Sequence, residues 1–498
     1  MRKNSLLLLV LPLLLTGCNF NSNSSSSNEI SSGTNENSTP TSETSYSSEE
    51  ASISKESDSV PVDDEYTFTD FFNHALPIYI TMDFTSTALQ NLSDYGGDEN
   101  NSYRHDVYHP CNIEIKLDKQ TYTYNSVGVR MKGNTSREYF INNGNFNGSY
   151  VNFKVSFNQI FADDPYKAYN DTSLKSRRFL STIKKLDLKW NKNEDYTFTK
   201  EAYADYMLEE EGVMAQKVNL CKVSIKKDGQ YLNGYFNIIY NVYETIDKDF
   251  LKRRLDSTQT KGNLYKGAWN GSNACDLNTA SNYGVEDNSR NQHYVYSLKT
   301  NEDNPNHSVL VRAINVINTT GPASSVQSSL EQVVDIPYLL KYSALMWVIG
   351  NPDDFRYNKN NTYFYFNSEN DKLTLIPYDN DRCFGIKKDW EIDMSYTGPS
   401  SWDNAYKIGG GWEGQCEPHL LWRTILNLSQ NSYPVVSSWR QTYLEYCSTY
   451  ANKYLSNSKF QSFTNGFALA PNKNISIGGS VNVSFTSYAN NKLEALNY

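Results

Sequence analysis

The chain is 498 residues long, with 38% hydrophobic residues and a formal net charge of −10. That apolar content excludes a wholly disordered chain, and the length allows a large core and more than one lobe. An acidic balance with no basic stripe argues against nucleic-acid binding.

The first residues read as an export signal. Met1-Arg2-Lys3 is basic, Leu6 to Leu15 is apolar, and Leu15-Thr16-Gly17-Cys18 ends the run in small residues. About ten apolar residues is half of the roughly 20 that a bilayer span needs, so residues 1–17 are a signal peptide and not a membrane helix. Cys18 directly after Leu-Thr-Gly resembles the bacterial lipobox. That resemblance implies cleavage before Cys18, lipidation of Cys18, and a protein tethered to the outer face of the cell membrane. Of the 42 residues from 19 to 60, 16 are Ser and almost none are apolar, so residues 18–65 read as a lipidated Cys and a disordered tether.

The body, residues 66–498, begins with strands. Asn112 to Leu117, Val127 to Lys132 and Val151 to Phe157 alternate polar and apolar residues. In the last of these, Val151, Phe153, Val155 and Phe157 share one face and Lys154 the other. Lys185 to Trp190 is a further short strand. A helix is expected from about Thr199 to Glu211, with Ala202, Tyr206 and Met207 inward, Glu209 to Glu211 in solvent and Gly212 as the stop. Strands follow at Asn219 to Lys226 and Asn233 to Tyr240, joined through Asp228-Gly229. The second half is more helical. Pro337 to Ile349 is a strongly apolar helix broken by Gly350, and Leu420 to Leu455 reads as two helices interrupted near Ser432-Tyr433-Pro434. Strands first and helices later make an α+β body of two lobes, about 66–250 and 251–498.

Oxygen-rich residues gather at residues 350–385. Thr362 to Phe366 and Leu373 to Pro377 form a hairpin around the turn Asn367 to Asp371. Its open end brings the loop with Asp353, Asp354 and Asn358 beside Asp379 and Asp381, with Asn361 expected opposite Asp379. Close carboxylates repel unless a cation intervenes, and hard oxygen ligands suit Mg²⁺ or Mn²⁺ with positions left for phosphate. One acid to orient a hydroxyl, with an amide and a second acid for metal, is what phosphoryl transfer needs, and protein kinases set these on either side of a short hairpin. Arg130, Lys132 and Lys154 are the basic candidates from the first lobe. The six Cys after Cys18 are far apart with no CxxC pair, which argues against structural zinc. Their disulfide pairing is not legible.

These pieces resemble the spore-coat-protein-H-like (CotH) kinases from about Tyr79 to Leu455. They are Val127 to Ser136 (VGVRMKGNTS), Asn152 to Phe157 (NFKVSF), Lys185 to Leu188 (KLDL) with the helix from Glu201 to Gly212, and Glu244 to Asp247 (ETID). The last are Gly350 to Asp353 (GNPD) with Asn361, and Ile376 to Asp381 (IPYDND) reaching Phe384-Gly385. The resemblance implies an atypical protein-kinase-like fold that uses ATP with a divalent metal to phosphorylate Ser or Thr of proteins. Carried over, Asp353 matches the family's acid after Gly-Asn, in the catalytic or metal role. Asp379, Asn361 and Asp381 are metal ligands, and Lys154, Arg130 and Lys132 are nucleotide-binding residues with Lys154 on the phosphates. Tyr378 stands where the family has Trp. The stretch Gly234 to Glu244 exceeds the family's spacing, which counts against Glu244 as the lysine's partner, and Asn358 is an alternative to Asn361. Two other readings stay open. One is a surface binding module for glycans, with Trp390, Trp402 and Trp412 stacking on sugars; the other is a pseudokinase scaffold.

Overall fold

The computed structural model describes residues 58, 66–97, 107–133, 136–162, 165–191, 195–268, 274–287, 292–387, 393–400, 420–426, 434–469 and 483–497. The signal peptide, Cys18, nearly all of the tether, Cys416, Trp390, Trp402 and Trp412 lie outside the described residues. Everything described belongs to one compact unit, Lys55–Tyr498.

The period-2 patterns fold into two main sheets. The first holds β1 (Ile78–Phe84), β2 (His109–Leu117), β3 (Gln120–Lys132), β6 (Asn152–Ser156), β7 (Lys185–Lys189), β8 (Val218–Lys227), β9 (Gln230–Tyr231) and β10 (Ile238–Glu244). A small ribbon, β4 (Ile141–Asn142) and β5 (Asn145–Phe146), lies between β3 and β6 in the chain. The order is β1-β2-β3-β6-β7-β10-β8-β9, and β1 also pairs in parallel with β8. Seven strands therefore close on themselves, which removes the exposed edges that invite aggregation. Alternation sends Ile80, Met82, Ile115, Val129, Phe153, Val155, Leu186, Leu188 and Val242 into one apolar core. The intervening residues of β3, β6, β7 and β10 form a polar row, with Arg130 opposite Lys154, Lys154 opposite Asp187 and Asp187 opposite Tyr243.

The second sheet is β12-β13-β11-β14-β15, built from β11 (Leu264–Gly267), β12 (Tyr283–Gly284), β13 (Tyr296–Leu298), β14 (Thr362–Phe366) and β15 (Leu373–Pro377). Helices α1 (Phe68–Phe71), α2 (Ser86–Gly97) and α3 (Lys200–Glu210) come with the first sheet in the chain. The second half carries α4 (Lys248–Lys252), α5 (Ser308–Ile317), α6 (Ala323–Leu330), α7 (Ile336–Ile349), α8 (Leu420–Arg423), α9 (Ser437–Tyr454), α10 (Asn457–Asn465) and α11 (Phe485–Glu494). The body is thus α+β, strand-rich first and more helical later. Among the described residues no helix is long and apolar enough to cross a membrane. Cys111, Cys221, Cys275, Cys383 and Cys447 are buried, and among the described residues no disulfide joins them.

Helix α7 runs through the larger of the apolar cores. The Asp335 side chain caps its N-terminus on the Tyr338 N–H, Pro337 sits in its first turn, and Gly350 ends it at φ +63°. A side chain at Gly350 would meet the Tyr488 hydroxyl at 2.1 Å, so glycine is needed for space as well as for backbone conformation. Buried Arg356 donates to the Ser343 and Met346 carbonyls near the end of α7 and pairs with Asp354 at 2.9 Å.

Three local expectations change. Asn233 to Asn237 is a loop, and the strand runs from Ile238 to Glu244. Of the three glutamates ending α3, Glu210 is exposed, but Glu209 pairs with Arg254 and Lys217, and Glu211 with Lys453. Helices α10 and α11 were not legible in the sequence.

Candidate active site

The hairpin β14–β15 brings the two acid loops together, one residue out of the expected register. Thr362 faces Pro377, and the Tyr378 N–H donates to the Asn361 carbonyl at 3.1 Å, so Asn361 lies opposite Tyr378 and not Asp379. Asn361 and Asp379 take left-handed backbone conformations, φ +52° and +63°, which end the ladder here. Asn351 ties the loops to each other. Its side-chain oxygen accepts from the Asp353 N–H at 2.9 Å, and its amide donates to the Asp379 carbonyl at 3.3 Å.

Asp379 and Asp381 converge on one ammonium, that of Lys189 at the end of β7. Asp379 Oδ1 is in direct contact with it, and Asp381 Oδ2 lies 3.2 Å away. Glu201, in the first turn of α3, accepts from the same Nζ with both oxygens at 3.1 Å, and the Tyr243 hydroxyl donates to Glu201 at 2.6 Å. One turn further along α3, Asp205 accepts from the Asn380 amide at 3.1 Å. Helix α3 therefore holds both the strand lysine and the loop between the two metal-type acids.

Three carboxylates share that ammonium, and the charges show it. Burial alone would lower Lys189, but Asp379, Asp381 and Glu201 raise it well above the ordinary lysine value. Burial, joined by Asp381 and Asp379, pushes Glu201 up to about 7 against the pull of Lys189. Burial also raises Asp381, with Asp379 adding to it. Asp379 goes the other way: burial is outweighed by Lys189, Lys132 and Lys266, which hold its carboxyl low. The three carboxylates press on one another through that shared ammonium, so their protonation is coupled.

Asp353 stands apart from this ammonium. Its Oδ1 accepts from Asn358 at 2.5 Å, its Oδ2 is 3.8 Å from Arg382, and its carbonyl accepts from the Asn361 amide at 2.8 Å. Burial raises its carboxyl above the ordinary value. Asp354, counted among the converging acids, is 1% exposed and belongs to the buried pair with Arg356. Asp353, Asp379 and Asp381 are the loop acids at the site, and the helix glutamate Glu201 joins them.

The basic candidates divide. Lys132 lies 2.9 Å and Lys154 3.4 Å from Asp187, so Lys154 is held on its own sheet and not by the acid loops. Lys132 reaches further, its Nζ 5.0 Å from the Tyr378 ring centroid. Arg130 donates to the Met131 carbonyl and lies over Tyr108. Lys189, at the end of β7, is the lysine that the Asp379 and Asp381 loop meets. Glu244 is bound by Arg253 and Arg254 at 2.7 and 2.6 Å, so it does not partner the lysine. Lys189, Glu201, Asp205, Asn351 and Asn380 were missed. The available signal was the alternation in Lys185-Leu186-Asp187-Leu188-Lys189, followed after a short loop by a helix with an acid in its first turn.

A divalent cation fits these donors. Asp379 and Asp381 already converge on a single positive charge, and the Asp379 side chain keeps 33% of its exposure. Among the described residues no group of three or more His, Cys, Asp or Glu could hold a metal alone. A hard cation bound by one or two carboxylates plus substrate phosphates needs no such group.

A strand lysine paired to a helix glutamate, above two metal-type acids and beside a third, is the arrangement of a protein-kinase-like phosphotransferase. The family model described as CotH kinase protein matches residues 129–467, and the chain belongs to that family. Among solved structures, the crystal structure of a Helicobacter pylori proinflammatory kinase, CtkA, is similar at 9% identity and a TM-score of 0.27, covering 64% of this chain and 87% of that one. No curated protein matches the chain.

Proposed function

We propose that this is an exported, lipid-anchored, metal-dependent kinase that phosphorylates Ser or Thr of envelope or secreted proteins. The observation that carries the kinase reading is the Lys189–Glu201 pair set on Asp379 and Asp381, with Asp353 on the neighbouring loop. When bound, ATP and its divalent cation supply the phosphoryl group and neutralise its charge. Asp379 and Asp381 would hold the cation, with Asn361 as a third ligand. Glu201 keeps Lys189 extended from β7, where the ammonium grips phosphate oxygens. Asp353, apart from Lys189, orients the substrate hydroxyl and accepts its proton. The glycan-binding reading rests on Trp390, Trp402 and Trp412, which lie outside the described residues.

Thermal unfolding of the chain with and without ATP and Mg²⁺ or Mn²⁺ tests the kinase reading. Ligand at about 100 times its dissociation constant stabilises a native state by roughly 2.7 kcal/mol. The shift should require both nucleotide and metal, and it should vanish in Asp379→Ala. No shift with any nucleotide would count against the reading.

The cellular address rests on Leu15-Thr16-Gly17-Cys18. Fatty-acid labelling of the wild-type chain and of Cys18→Ala checks it. Label should enter the wild type and not the variant, and the variant should leave the membrane fraction; a labelled variant would overturn the assignment.

A further inference from the structure

Beside the Lys189 cluster, the described residues of the two sheets bring several ammonium groups together next to the Asp379 carboxylate. On the first sheet, Asp187 is shared by Lys132 and Lys154, with Arg130 next in the row. Lys266, on β11 of the second sheet, reaches the same place from the other side. Its Nζ lies 5.0 Å from the Tyr378 ring centroid, the same ring and distance as Lys132. Among the described residues no carboxylate lies within ion-pair distance of Lys266. Glu286, which is close enough to act on it, is bound by Lys299 at 2.6 Å. Lys132, Lys154 and Lys299 are near enough to act on Lys266, and Asp379, on which Lys132 and Lys266 both act, is already held by Lys189. Gathering these like charges around a half-buried ammonium is costly unless a further anion joins them. Tyr378 offers Lys132 and Lys266 its ring.

We propose that Lys266 is a ligand of the nucleotide's phosphate chain, and that with Lys132 it forms a clamp with one ammonium from each lobe. The inference rests on the kinase reading above and adds a residue from the second sheet to it. Without an anion, Lys132 and Lys266 repel across the cleft. With the polyphosphate between them the same charges hold the two lobes together over Tyr378. A lysine that served only to pack on Tyr378 would not distinguish a phosphorylated ligand from adenosine.

The test uses the full chain and the variants Lys266→Met and Lys266→Arg, titrated with ATP, inorganic tripolyphosphate and adenosine in the presence of Mg²⁺. Losing one charge-assisted contact should weaken ATP and tripolyphosphate roughly tenfold or more in Lys266→Met. Adenosine binding should not change, and Lys266→Arg should keep most of the affinity. A second readout needs no variant. Burial and the surrounding lysines bring Lys266 down to about 8, so an amine-acylating reagent should label it readily near that pH. ATP and tripolyphosphate should protect it, read by mass spectrometry, and adenosine should not. ATP affinity unchanged in Lys266→Met, or labelling of Lys266 unaffected by ATP, would overturn the clamp alone. A wild-type chain that binds neither ATP nor tripolyphosphate would remove the kinase reading and the clamp with it.

Discussion

Asp353→Asn is expected to lower phosphoryl transfer roughly a thousandfold while ATP affinity stays close to wild type. Asp353 does not touch Lys189, and its side-chain neighbours are Asn358 and Arg382. The backbone links that position the loop, from Asp353 N–H to Asn351 and from Asn361 to the Asp353 carbonyl, survive the substitution. What disappears is the ability to take a proton from the attacking hydroxyl. Single-turnover transfer rates beside nucleotide dissociation constants measure the split. The adjacent Asp354→Asn serves as contrast. Asp354 neutralises Arg356, which holds the end of α7, so its loss should appear as a lower melting temperature and not as a selective loss of rate. Unchanged transfer in Asp353→Asn would sink the assignment.

The strands of the first lobe were legible because each buries one face. In Val151 to Phe157 the four alternate apolar residues all enter the core. The helix α7 was legible for its length, its apolar content and its glycine stop. The hairpin was legible from aromatic and β-branched runs around an Asx-rich turn, and with it the meeting of the two acid loops. What was not legible is which polar residue on a face meets which partner. Lys154 and Lys189 are both outward-facing strand lysines. The choice between them is made by the reach of the Asp379 loop and the placement of α3, which are tertiary facts. Asp353 and Asp354 likewise differ only in which one the turn directs at Arg356. The one-residue shift at Asn361 came from two left-handed residues that no periodicity announces.

The closed first sheet explains why the site can be built from opposite sides of a cleft. Its interior is filled by apolar side chains, so its polar face is fixed in position and offers a rigid row of charges. Helix α3 links that face to the acid loops by two side chains one turn apart, Glu201 to Lys189 and Asp205 to Asn380. Any shift of α3 would move the lysine and the metal-type acids together.

Lys189→Met should combine a loss of transfer of about a hundredfold or more with a metal-dependent loss of stability. In the absence of metal, Lys189 is the shared counter-charge of Glu201, Asp379 and Asp381. Methionine fills nearly the same volume, so little of the effect comes from a cavity. The carboxylates left facing one another should cost about 3–5 kcal/mol, the range for breaking a buried ion pair from one side. A divalent cation should restore much of that, because it replaces the missing charge between Asp379 and Asp381. The wild type should gain less from metal alone, since its ammonium already occupies the position. Glu201→Gln should be milder in stability, leaving Lys189 with two acids, yet should still reduce transfer because the lysine loses its anchor on α3. Melting curves of the three proteins, each with and without millimolar Mg²⁺, separate these contributions. A Lys189→Met protein that melts like the wild type without metal and still transfers phosphate would show that Lys189 is an ordinary surface-strand lysine.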